Sequence, residues 1–141
     1  MKKLPKSFWI IIIVVFLILI ATQIIWPAKK ESGDANLIVI NNSQTPVGMV
    51  GVSYPRWDGS QVSEGASNAD GSMLAQGDKL YFNGVQWPAV VTVYSDLQGE
   101  DSLMYFVVEE APEENGRWQA TIYDSDTGLS LTLESVPKVE P

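Results

Sequence analysis

The sequence predicts an all-β domain, an immunoglobulin/fibronectin-like β-sandwich of about seven strands, preceded by one N-terminal transmembrane helix. Three observations predict this. From Phe8 to Trp26 there is no charged residue. Beyond Asn36 the apolar residues come in short runs or strict alternation, each closed by Gly, Pro, Asn, Asp or Ser, as strands bounded by turns do. No helical period of comparable length occurs there. A small barrel is the second architecture compatible with the pattern, which does not encode strand order.

The predicted organisation is a cytoplasmic N-terminus (1–7), a transmembrane helix acting as signal-anchor (8–26), a tether (27–36), an extracytoplasmic sandwich (37–135) and a tail (136–141). As a helix, 8–26 spans about 28 Å, close to a hydrocarbon core of about 30 Å. Phe8 and Trp9 mark one boundary and Trp26 the other, as interfacial aromatics do. Pro27 then ends the helix. Lys2, Lys3 and Lys6 precede the span, whereas Lys29 and Lys30 follow it. That bias predicts a cytoplasmic N-terminus and an exported C-terminal domain. A cleaved signal peptide would have an apolar region of about 7–15 residues and a small-x-small site. Here Ala28 has Trp26 two places before it and Ala21 has Leu19, so the span reads as uncleaved.

The tether "PAKKESGDAN" is polar and contains Pro and Gly. Leu37–Ile40 is a continuous apolar run closed by "NNSQTP", and Val47–Tyr54 follows; the pair reads as a hairpin. The connection from Asp58 to Asp78 is rich in Gly, Ser, Ala and Asp. It reads either as one long functional loop or as two shorter ones separated by a docked Met73–Leu74 edge. Lys79–Phe82 is a short strand. Ala89–Tyr94 and Leu103–Val108 are rich in Val, Tyr and Phe, with "SDLQGED" as the turn between them. Trp118, Ala120 and Ile122 alternate with polar residues, as do Leu129, Leu131 and Leu133, so each set faces a core. "DSDTG" joins these two strands.

One segment carries a family likeness. "SNADGSMLAQGDKLYF", Ser67 to Phe82, resembles a run in uncharacterised, short, membrane-anchored proteins of Gram-positive bacteria, where it precedes a Val-rich strand as "VVTVYSD" follows here. "IVINNS" and "VGMVGVSY" are compatible with them. The resemblance implies a tethered extracytoplasmic β-domain and supplies no activity or site residues.

Composition excludes several chemistries. The 141 residues contain no cysteine and no histidine. Disulfides, thiolate metal sites, a lipid-modified cysteine, Ser-His-Asp or Cys-His catalysis and His-ligated zinc are therefore ruled out. All seventeen acidic residues lie at or after Glu31, and the part following the apolar segment carries six basic residues, a net of −11. Such a surface repels nucleic acid.

Asp124 and Asp126 match the first and third ligand positions of an EF-hand, but Gly128 and Glu134 each come one place early. A hairpin turn is the simpler reading, beside a calcium site assembled from several loops with Asp70. Glu109, Glu110, Glu113 and Glu114 could form a carboxylate pair for a small hydrolase if burial split their pKa values. A solvated turn blunting an edge strand is the simpler reading. "NNS", Asn41 to Ser43, formally fits a glycosylation acceptor. Trp118 and Trp87 read as core and strand-entrance residues. Trp57, in "YPRWDGS" with Tyr54, Arg56 and Asp58, is the most loop-like aromatic; packing over the sandwich end is the simpler reading, ahead of ligand contact. These four are the candidate partner-binding residues. The sequence thus predicts a single-pass, non-catalytic binding or structural module at the cell envelope. Its expected partners are the lipid bilayer and an envelope protein or glycan; no nucleic acid and no cofactor is expected.

Overall fold

The computed structural model describes residues 33–138. The predicted span, with Phe8, Trp9 and Trp26, lies outside them. Among the described residues there are eight strands and no helix: β1 (Ala35–Asn41), β2 (Met49–Pro55), β3 (Gln61–Ala66), β4 (Lys79–Asn83), β5 (Ala89–Tyr94), β6 (Ser102–Val108), β7 (Gly116–Ser125) and β8 (Gly128–Pro137). They form two four-stranded sheets, β4-β1-β7-β8 and β3-β2-β5-β6. The inner faces supply one core, with Leu37, Val39, Val50, Val52, Val91, Val93 and Ile122 fully buried. Burial of each such side chain stabilises the fold by about 1.5–3 kcal/mol.

Three expectations are corrected. First, β1 and β2 are not a hairpin. β1 pairs antiparallel with β4 and parallel with β7, whereas β2 pairs with β3 and β5. β1 is thus a central strand: Leu37 and Val39 face the core, and Ile38 on the opposite face, paired with Tyr81 and Gln119, is only 4% exposed. An immunoglobulin domain would pair its first strand with its second, so the sandwich here has a different strand order.

Second, there are eight strands, because Asp58–Asp78 is not one loop. It contains β3, "QVSEGA", whose single apolar strand-former is Val62. β3 exists through its ladder to β2, from Val50↔Ala66 to Pro55↔Gln61, which overrides its poor propensity. Leu74 forms an isolated bridge to Val47 and is buried, close to the docked-edge reading. Third, β8 runs to Pro137, past the expected end at Ser135, since its last residues still pair with Gly116 and Arg117.

Polar side chains organise the turns. Asn41 is 2% exposed. Its Nδ2 donates to the Leu74 carbonyl at 2.9 Å, and its Oδ1 accepts from the Ser43 amide and hydroxyl at 3.1 and 2.7 Å. Gly77 donates its amide to the Asn41 carbonyl at 2.6 Å. This knot joins the β1–β2 and β3–β4 connections. Gly48 enters β2 so close to the β5–β6 turn that a Cβ would lie 2.3 Å from the Asp96 backbone. In that turn Asp96 accepts the amides of Gln98, Glu100 and Asp101.

Candidate functional site

The β2–β3 hairpin carries all four candidate binding residues. β2 ends at Pro55, and the chain reverses through Arg56, Trp57, Asp58 and Gly59. The Arg56 amide donates to the Ser60 carbonyl at 2.7 Å and the Gly59 amide to the Arg56 carbonyl at 2.9 Å. Asp58 Oδ1 accepts from the Ser60 amide at 2.9 Å and its hydroxyl at 2.6 Å. Gly59 sits at φ +81°, the left-handed region in which glycine has no steric cost. Every bond of the turn fixes backbone or small side chains, and none holds the indole. Trp57 is 90% exposed.

That exposure corrects the packing expectation for Trp57. Tyr54, the nearest aromatic in sequence, points the other way. It is 7% exposed and belongs to the core. The hairpin therefore divides the candidates: Tyr54 anchors the base, while Arg56, Trp57 and Asp58 form the exposed tip. Burial, and next the neighbouring Glu64 carboxylate, push the Tyr54 phenol above its usual range. The Ser60 hydrogen bonds hold the Asp58 carboxyl below its usual range.

Glu64 lies directly opposite Val52 in the ladder and so shares its inward face. Its Oε1 is buried without a hydrogen-bond partner among the described residues. The outward face of the same hairpin is lined by Gly51, Ser53, Ser63 and Gly65 and is roofed at one end by Met49 and Tyr94, leaving an open trough of about 240 Å³. Ser53 and Ser63 face each other across it at 2.9 Å.

The remaining candidates are placed elsewhere. Asp124 is occupied structurally: Oδ2 accepts the Gln44 amide and Oδ1 the Thr45 hydroxyl, each at 2.6 Å. These bonds hold its carboxyl below the usual range. Asp126 lies in the two-residue turn between β7 and β8, which closes with Ser125↔Gly128. Asp70 accepts from the Ser72 amide and hydroxyl, with the same Asp-Gly-Ser geometry as Asp58. Among the described residues no three acidic side chains converge as a metal site would require.

Glu109, Glu110, Glu113 and Glu114 are all exposed beyond the end of β6, without the burial that a working carboxylate pair needs. Trp118 is partly buried, and its Nε1 donates to the Glu110 carbonyl at 2.9 Å. Trp87 packs against the core. Asn41 of "NNS" is sealed inside the knot.

Sequence reasoning missed a second exposed row. Leu103, Tyr105 and Val107 of β6 are 38%, 73% and 51% exposed. A continuous apolar run does not reveal which face is covered, so Leu103–Val108 reads as a strand with no face assigned. Only Met104, Phe106 and Val108 turn inward.

Fold and site together define a class, an eight-stranded two-sheet β-sandwich with an exposed aromatic at a hairpin tip. Among solved structures, the chain is similar in fold to transthyretin from Sparus aurata. The TM-score is 0.50 at 14% identity, covering 72% of this chain and 98% of that one. No family model and no curated protein matches the sequence.

Proposed function

We propose that this chain is a single-pass, membrane-anchored, extracytoplasmic β-sandwich that acts as a non-catalytic binding module at the cell envelope. The contact surface is the β2–β3 tip. One observation carries the reading: Trp57 is 90% exposed on a turn whose own hydrogen bonds are complete. A tryptophan side chain has only two torsions to fix and so loses little entropy on binding, and tryptophan is enriched among the residues that dominate interface energy. The charge-free stretch from Phe8 to Trp26 and its lysine asymmetry support the anchor. The net charge of −11 beyond it supports an extracytoplasmic domain that stays soluble beside an anionic surface.

A glycan partner is the second reading. An exposed indole next in sequence to Arg56 and Asp58, on the same hairpin as a serine-lined trough, offers stacking together with hydrogen-bond groups. Partner capture by crosslinking on intact cells, with wild-type protein and Trp57→Ala, tests the site. Loss of the captured partner is expected; unchanged capture overturns the assignment. Alkaline extraction of membranes and the intact mass of the mature chain test the anchor. Release into the wash, or loss of the first twenty-odd residues, would overturn it.

A further inference from the structure

Each sheet has two edge strands, and an unpaired edge is a template for another strand unless something blunts it. Three of the four edges are blunted in their own sequence. β3 carries Glu64 on its inward face together with Gly65; β4 is five residues long and begins at Lys79; β8 contains Glu134 and ends at Pro137. β6, "SLMYFVV", has no charge, proline or glycine over seven residues. Among the described residues it pairs on one side only, with β5. Its outward row of Leu103, Tyr105 and Val107 continues into Val90, which pairs with Val107 and is 37% exposed.

The charges around this edge select its occupant. From Ala89 to Asn115 there is no Lys or Arg. Glu100 and Asp101 stand at one end of β6, and Glu109, Glu110, Glu113 and Glu114 at the other, all exposed. A second copy pairing antiparallel would bring Glu109 and Glu110 against Glu100 and Asp101; pairing parallel would bring like ends together. Either arrangement sets acid against acid, which destabilises strand pairing. A strand with an apolar centre and basic residues at both ends meets complementary charge in either direction.

We propose that the free edge of β6 is a docking edge for such a strand from a partner protein. The partner extends the β3-β2-β5-β6 sheet by backbone hydrogen bonds. Its side chains cover Tyr105 and Val107 on one face and the partly buried Met104 and Phe106 on the other. This surface is separate from the Trp57 tip and stands or falls independently of it.

The test uses the full-length chain in detergent micelles and labelled nine-residue peptides. One alternates valine and threonine between two lysines at each end. A second replaces the lysines by glutamates, and a third places proline at two alternate central positions. Fluorescence anisotropy reads affinity, and amide exchange reads protection along β6. The lysine-flanked peptide is expected to bind at least about tenfold more tightly than either control, weakening as salt rises, with new protection confined to alternate β6 amides.

Tyr105→Lys puts a charge on the open edge at an exposed position and is expected to lower affinity at least about tenfold. Trp57→Ala leaves it unchanged. Native near-ultraviolet dichroism of Tyr105→Lys, and a matching loss of affinity in Glu109→Gln/Glu110→Gln, separate docking from misfolding. Equal binding of the three peptides, no binding, or protection outside β6 overturns the proposal. So does concentration-dependent dimerisation abolished by Tyr105→Lys, which would make the occupant a second copy.

Discussion

At the β1–β2 connection, Asp124 takes the Gln44 amide and the Thr45 hydroxyl, and Asn41 is sealed at 2% exposure beneath them. At the β2–β3 turn, Asp58 takes the Ser60 amide and hydroxyl, and Trp57 stands bare. Both regions use a short acidic side chain to satisfy backbone and hydroxyl donors, Asp58 within its own turn as an Asx turn and Asp124 across a sequence separation of 80 residues. They differ in what lies behind the turn. At the first, two connections converge and their polar groups must all be paired, since an unpaired buried group costs about 1–3 kcal/mol. At the second, the Asp58 bonds fix one hairpin turn and leave its indole exposed. The comparison separates residues that keep the fold from residues available for contact.

The largest test of this contrast is Gly48→Ala, in the closely packed region. A Cβ there meets the Asp96 backbone, which cannot swing aside as a side chain would. The variant is expected to lose about 3 kcal/mol of stability, read as a lower urea midpoint with an unchanged slope. Asn41→Ala follows, at about 2 kcal/mol, because the Leu74 carbonyl and the Ser43 amide and hydroxyl lose their partner. An effect no larger than that of an exposed substitution would dissolve the distinction between the two regions.

Acid provides the next test. Hydrogen bonds hold the carboxyls of Asp58, Asp70, Asp96 and Asp124 below their ordinary range when folded. Their stabilising contribution is therefore complete above the unfolded pKa of about 3.9 and is lost as pH falls through the lower folded values. The melting temperature should vary little with these groups near neutrality and drop below about pH 4. Asp124→Asn should reduce that drop, because the Gln44 amide and Thr45 hydroxyl no longer hold a carboxylate. The smallest effect belongs to the tip: Trp57→Ala should change stability by less than about 0.5 kcal/mol while abolishing partner capture. A clear destabilisation would mean that the indole serves the fold after all.

Much of the sandwich is written locally. β5 begins and ends where its Val-rich run does, and the alternation of β7 and β8 marks the residues that face inward. β3 was hidden because its existence depends on the ladder to β2 rather than on its own six residues. The partners of β1 were hidden because pairing is a property of two distant segments. At the site, "YPRWDGS" identified the turn, but whether Trp57 packs or projects depends on what the fold brings to that end. The outward face of β6 was illegible for a related reason: the same apolar run suits a central strand or an open edge.

The parallel pairing of β1 with β7 has a consequence for how the chain reaches this structure. Leu37 aligns with Trp118, and Asn41 with Ile122, so one flank of β1 must await residues about eighty positions later. A chain emerging from its N-terminus can join β4 to β1, and β2 to β3 and β5, while that flank is still open. Contacts this distant in sequence slow closure, because the intervening chain must be ordered before they form. The last hairpin, β7–β8, is therefore the latch of the domain. Until it arrives, the most apolar strand of the first sheet is an open seam, and stalled or truncated chains should be the species that aggregate or are degraded.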